Sequence, residues 1–141
     1  MSEARELAEQ HNRIFNERDW SAAAQVYSPD VVTIEPGAGT MHGIETFIGF
    51  AQGFAAAFPD SRLVVRTLTA DGNRAVVEGV YTGTHTAPMM SPQGEIPATG
   101  RTLALPYCDV FEVEAGRITT HHVYYDQMAF ALQLGLVPTP A

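Results

Sequence analysis

Four side chains carry the chemistry open to this sequence: Asp109, His121, Glu35 and His11. Asp109 falls in the stretch TLALPYCDVFEVEAGRITTHHVYYD, Thr102 to Asp126, which reads as a hairpin. Along its first strand Leu103, Leu105, Tyr107, Asp109, Phe111 and Val113 alternate onto one face, apolar but for the carboxyl. A carboxylate there is costly unless it is paired, hydrogen-bonded or neutral. Glu114-Ala115-Gly116 turns the chain. A three-residue loop with Gly116 left-handed pairs Val113 with Arg117 and sets Asp109 opposite His121. A two-residue loop at Ala115-Gly116 sets it opposite His122 instead. Either register places a carboxyl group against an imidazole, as in an acid/base site or a structural ion pair.

Glu35 closes a short strand, Val31 to Glu35, where a pocket mouth would lie. His11 sits on an apolar helical stripe of Ala4, Leu7, Ala8, Ile14 and Phe15. Removing a proton beside a carbonyl needs a base of tuned pKa. The enolate oxygen then needs preorganised donors in a dry site. Glu35, Asp109 and His11 could supply such a set of polar groups, and His121 either bonds Asp109 or faces the substrate. The expected walls are Phe15, Trp20, Phe50, Phe54, Tyr81, Leu105, Tyr107 and Val123. His122, Tyr124 and Asp126 share the opposite strand face and suit an oligomer contact or a helix cap. No His-x-x-x-His or similar ligand spacing occurs, so the expectation is a site without metal or organic cofactor.

The elements that position these groups are legible in outline. Ser2 to Glu17 reads as an amphipathic helix, and Asp19 can cap a short second helix to about Tyr27, ended by Ser28-Pro29-Asp30. Pro36-Gly37-Ala38-Gly39 must turn, and Thr40 to Gly43 leads into a helix from Ile44 to Phe58. Gly49 and Gly53 weaken that helix or admit a close neighbour. Arg62–Leu68 and Arg74–His85 read as strands about Asp71-Gly72-Asn73. Thr86 to Gly100 is a proline-rich loop able to cover a pocket, with Met89 and Met90 as adaptable contacts. After the final hairpin, Asp126 can cap a helix from Gln127 to Leu134. The order gives an α+β fold without parallel crossover signals, helices packed on a curved antiparallel sheet.

Residues 1–141 suit one domain. No apolar run approaches the roughly 20 residues of a membrane span, and MSEARELAEQ lacks a signal-peptide core. Cys108 is the only cysteine, which excludes an intrachain disulfide. These features fit a cytoplasmic protein. A formal net charge of -8 argues against nucleic-acid binding.

Several phrases carry a family resemblance: FNERDW, YSPDVVTIEPGAGTMHG, AFPDSR, PATGR and the closing DQMAFALQLG. In this order they resemble the nuclear-transport-factor-2-like superfamily, and more narrowly the SnoaL-like polyketide cyclases. The resemblance implies a cone-shaped α+β domain with one deep pocket, commonly dimeric. It also implies an acid/base Asp on the last strand, a position held here by Val123, while Asp109 stands where that pattern has a His. The chain is similar as well to ketosteroid isomerases, whose general-base Asp precedes a proline at the end of the first strand, as Glu35 precedes Pro36. Their neutral donor Asp matches Asp109, and their oxyanion-hole Tyr falls at about His11. The resemblance thus implies an aldol cyclisation, isomerisation or dehydration of a polyketide-like or polycyclic substrate, with a non-catalytic ligand-binding or assembly module as the alternative.

Overall fold

The computed structural model describes residues 2–138. Helix α1, Glu3–Glu17, starts where the Ser2 hydroxyl accepts the Arg5 N–H at 3.3 Å, with Glu3 and Glu6 in the first turn favouring the positive end of the helix dipole. It stops at Arg18, which turns left-handed and returns its N–H to the last carbonyls. Ala4, Ala8, His11, Ile14 and Phe15 form the buried stripe. The expected second helix is a 3₁₀ segment, Trp20–Gln25, without a side-chain bond from Asp19. Strand β1, Tyr27–Glu35, begins earlier than expected. Ser28-Pro29-Asp30 lies inside it, because a register shift between Tyr27 and Val32 gives the proline a place off the ladder.

The Thr40–Gly43 lead-in contributes to a strand, β2, Gly39–His42, paired back onto β1. Helix α2, Ile44–Ala57, follows. Strands β3, Arg62–Asp71, and β4, Arg74–Thr84, form the expected hairpin. Within the covering loop, β5, Met89–Ser91, and β6, Gly94–Ile96, make a small separate hairpin. Strands β7, Thr102–Glu114, and β8, Arg117–Tyr125, then lead to α3, Gln127–Gln133, capped by Asp126.

The main sheet runs β2-β1-β8-β7-β4-β3. All its neighbours are antiparallel except β1 and β8, which run parallel. This corrects the wholly antiparallel expectation. The two strands meet from opposite ends of the chain, so no local crossover signal announces the pairing. The α+β class with a curved, antiparallel-dominated sheet stands.

The β7–β8 register also departs from both expected ones. Ala115 and Gly116 take φ of 50° and 74°, as a two-residue hairpin turn requires. Glu114 pairs with Arg117 and Val113 with Ile118, but a bulge then skips Thr119. Phe111 faces His121, and Asp109 faces Val123. Asp109 and His121 keep to one face as diagonal neighbours, within side-chain reach.

Two glycine classes separate in the packing. Gly49 and Gly53 stand on the exposed side of α2, and a Cβ at either would meet nothing within 4 Å, so they admit no close neighbour. At Gly79 on β4 a Cβ would lie 2.6 Å from the Val64 carbonyl oxygen and 2.7 Å from the Tyr107 hydroxyl. Glycine therefore makes room for the Tyr107 ring across the sheet. Gly79→Ala is expected to destabilise by about 1–3 kcal/mol, whereas Gly53→Ala is expected to stabilise by about 0.5–1 kcal/mol. Urea denaturation of both variants checks this; two changes of the same sign contradict the packing described.

Candidate active site

The concave sheet face, α1, α2 and α3 enclose a cavity of about 110 Å³. Its polar groups are His11 from α1, Thr33 and Glu35 from β1, Tyr81 from β4, Tyr107 and Asp109 from β7, and His121 and Tyr125 from β8. Strand alternation explains the convergence: residues 33 and 35, 107 and 109, and 121, 123 and 125 project to the same side. The four predicted chemical residues are therefore brought together. Of the predicted walls, Phe15, Phe50, Phe54, Tyr81, Leu105, Tyr107 and Val123 line the cavity. Trp20 does not: the 3₁₀ segment holds it beside a separate void of about 20 Å³ behind His11 and Phe47.

Asp109, 2% exposed, is the centre of a buried cluster. His121 Nε2 lies 2.8 Å from its Oδ1. His11 Nε2 lies 3.6 Å from its Oδ2, beyond hydrogen-bond length. The other nitrogen of His11, Nδ1, meets the Tyr27 hydroxyl at 2.6 Å. Burial pushes the Tyr27 phenol well above its ordinary value, so it keeps its proton. It donates that proton to Nδ1, leaving the His11 ring proton on Nε2, facing Asp109. Burial first, and then the neighbouring His121, lower the His11 pKa to about 3 against a smaller opposing pull from Asp109. His11 is thus a neutral donor. Its ring packs edge-on to Phe111 and alongside Phe47, at centroid distances of 4.8 and 6.1 Å.

Glu35, 3% exposed, is fixed from three directions. Its Oε1 accepts the backbone N–H groups of Gly37 and of Ala38, the latter at 2.8 Å. Its Oε2 accepts the Tyr125 hydroxyl at 2.7 Å. The Pro36–Gly39 turn is thus what orients the carboxylate, because it folds two amides back on the residue before it. A carboxylate offers about four lone-pair positions, so one remains for a ligand. Burial and the adjacent Glu35 charge raise the Tyr125 pKa, which keeps that phenol a donor.

Sequence reasoning missed Tyr125, Thr33 and Tyr27. Tyr125 was accessible to it, since it shares the alternation of His121 and Val123. Thr33 shares that of Glu35. Tyr27 was hidden by its assignment to a helix end. His122 and Tyr124 stack on each other on the outer face at 4.0 Å between centroids, away from the cavity.

One atom from each of His11, Asp109 and His121 lies within 4.8 Å of the others, a set no local spacing could reveal. Three such ligands suit a divalent ion in type. In geometry they form a hydrogen-bonded cluster: the 2.8 Å contact is tighter than the about 3.4 Å between ligands of a tetrahedral ion at about 2.1 Å.

The SnoaL-like polyketide cyclase family model matches residues 5–134. The chain belongs to that family. A candidate polyketide cyclase from Xanthomonas campestris pv. campestris is 26% identical, with a TM-score of 0.81 over 94% of this chain and 96% of that one. IdmH of Streptomyces antibioticus, likewise a candidate polyketide cyclase, is 25% identical, with a TM-score of 0.78 over 92% and 96%. TsrD from Streptomyces laurentii, at 24% identity and a TM-score of 0.82 over 96% of each chain, shares the fold. No curated protein matches. No helix among the described residues is long and apolar enough to cross a membrane.

The buried neutral His11 gives a pH dependence of fixed sign. The unfolded chain protonates this histidine below its ordinary value of 6.5, while the folded protein resists down to about 3. Stability is therefore full above about pH 6.5 and falls through the window between, by about 1.4 kcal/mol per pH unit well below the upper value. His11→Gln is expected to show a shallower decline between pH 6.5 and 4 in denaturant titrations. Equal slopes for variant and wild type contradict a neutral buried imidazole.

Proposed function

We propose that this SnoaL-like protein catalyses proton transfer at a carbon beside a carbonyl, in an aldol cyclisation, isomerisation or dehydration of a polyketide-like substrate. The observation that carries the reading is the 3.6 Å gap between His11 Nε2 and Asp109 Oδ2. That separation is too long for a bond between them and suits two donors that share one acceptor. A substrate carbonyl oxygen there takes the His11 N–H and a proton held in the Asp109–His121 pair. As charge develops on that oxygen, both bonds strengthen, and the apolar walls keep competing water away.

Glu35 is the base. It enters the same cavity from the neighbouring strand, and its turn amides and Tyr125 hold it in place, so its free lone pair is aimed before substrate arrives. A proton taken from carbon passes to Glu35 and returns at another carbon in an isomerisation, or leaves with a hydroxyl group as water in a dehydration. In a cyclisation the enolate carbon attacks a second carbonyl, whose oxygen takes the proton. Each route is redox-neutral and needs no oxidant. Val123, where the SnoaL-like pattern has its acid/base Asp, leaves Glu35 and Asp109 as the cavity's carboxyl groups.

Glu35→Gln keeps shape and removes the base. Deuterium exchange at the acidic carbon of a bound cyclic ketone is expected to slow by roughly 10²-fold or more. Asp109→Asn, still a donor, is expected to retain more exchange than Asp109→Ala. Equal exchange by wild type and Glu35→Gln rejects Glu35 as base and turns the assignment to a ligand-binding module.

A further inference from the structure

Beyond the groups just assigned, the cavity holds polar atoms that the reaction does not use. Thr33 Oγ1, Tyr81 Oη, Tyr107 Oη and His121 Nδ1 are buried and lack a hydrogen-bond partner. All four residues line the chamber, and each is more than nine-tenths buried. Unpaired buried polar groups are rare because each forfeits its hydration. Thr33 and His121 are register partners on adjacent strands, so two of the orphans belong to one spot on the chamber floor. Tyr107 lies on β7, two residues from Asp109 on the same face, and Tyr81 lies on β4. The chamber thus offers donors and an acceptor away from the His11–Asp109 gap.

Its size is equally restrictive. At about 110 Å³ the chamber is close in size to the apolar cavity of about 150 Å³ that binds benzene, so it matches a single ring better than a fused polycycle. The chamber opens past Glu35, Phe50, Phe54 and Tyr125 into an outer vestibule of about 490 Å³ beneath the β5–β6 hairpin. Met89 is buried against the core there, while Met90 stands 73% exposed at the rim. Gln93 and Gln127 add polar contacts. Together the two spaces fall within the roughly 300–1,000 Å³ of small-molecule sites.

We propose that the protein takes a substrate of two parts: a single ring bearing at least two oxygen substituents in the inner chamber, and a larger flexible remainder under the β5–β6 hairpin. One ring oxygen sits at the His11–Asp109 gap, and the second pairs with the Thr33 and His121 site or with Tyr107. Glu35 stands at the junction, so the reacting carbon is at or next to the point where the remainder joins the ring. This rests on the proposed proton transfer only for the role of Glu35; the shape and the polar matching stand on the cavity itself. It narrows the expected polycyclic substrate to a molecule whose further rings, if present, are not fused to the one inside.

Binding of resorcinol, 5-pentylresorcinol and toluene, measured by calorimetry, tests it without turnover. Resorcinol is expected to bind more tightly than toluene, and 5-pentylresorcinol more tightly than resorcinol. Thr33→Val and Tyr107→Phe each delete one hydroxyl. At least one of them is expected to weaken both resorcinols roughly three- to tenfold while leaving toluene unchanged. Both variants are expected to fold at least as stably as wild type, because an isostere removes an orphaned polar atom. Met89→Ser is expected to weaken only the pentyl compound. Resorcinol affinity unmoved by both hydroxyl deletions overturns the polar matching and assigns the orphans to trapped water. Pentyl affinity unmoved by Met89→Ser, or tighter binding of 1-hydroxyanthraquinone than of 5-pentylresorcinol, overturns the two-part substrate. The exchange assay turns on Glu35→Gln, while the binding pattern turns on Thr33→Val, Tyr107→Phe and Met89→Ser in a chain that keeps Glu35, so a failed exchange assay and a failed binding pattern remain distinguishable.

Discussion

A carboxyl group 2% exposed on an apolar sheet face is the constraint around which this protein is arranged. Left alone, Asp109 would cost several kcal/mol of desolvation. His121 meets one oxygen at 2.8 Å, and the bulge at Thr119 is what brings that imidazole onto the right diagonal. His11 faces the other oxygen, and Tyr27 fixes its tautomer. A fold that needed only stability would replace such a cluster with well-packed apolar residues, often at no loss. Here the cluster lines a cavity with one gap left unbonded, which is the feature that supports the proposed oxygen-binding site.

Glu35 obeys a different logic. Its three donors come from its own turn and from the strand beside it, so it is ordered without help from the Asp109 cluster. The parallel β1–β8 pairing joins the two systems. It sets Thr33 beside His121, and two residues further along β1 Glu35 is bonded to Tyr125 at the end of β8. The main sheet's first and last strands in chain order, β1 and β8, thereby share one floor, which makes the geometry of the proposed base and donors a property of the whole fold rather than of any segment.

Much of this was legible in the sequence where side chains alternate. The face carrying Leu103 to Val113, the helical stripe carrying His11 and the strand ending at Glu35 each marked a polar residue that the structure buries in the cavity. What alternation could not give was long-range or subtle. The bulge shifts β8 by one residue relative to β7, and no local pattern marks Thr119 as unpaired. The parallel pair joins segments some ninety residues apart, as the contact between Glu35 and Tyr125 shows. Trp20 was misplaced for a smaller reason: a 3₁₀ segment turns its side chains by a different angle from an α-helix, which sends the indole behind His11 instead of into the chamber.

The proposed chemistry requires His11, Asp109 and Glu35 to converge on one ligand carbonyl or its enolate. The most direct measurement is a crystal structure with a planar phenol or a cyclic enone bound. Its oxygen is expected within hydrogen-bond distance of both His11 Nε2 and Asp109 Oδ2, with a ring carbon facing Glu35. An oxygen bound elsewhere in the cavity, with the 3.6 Å gap empty, would contradict it.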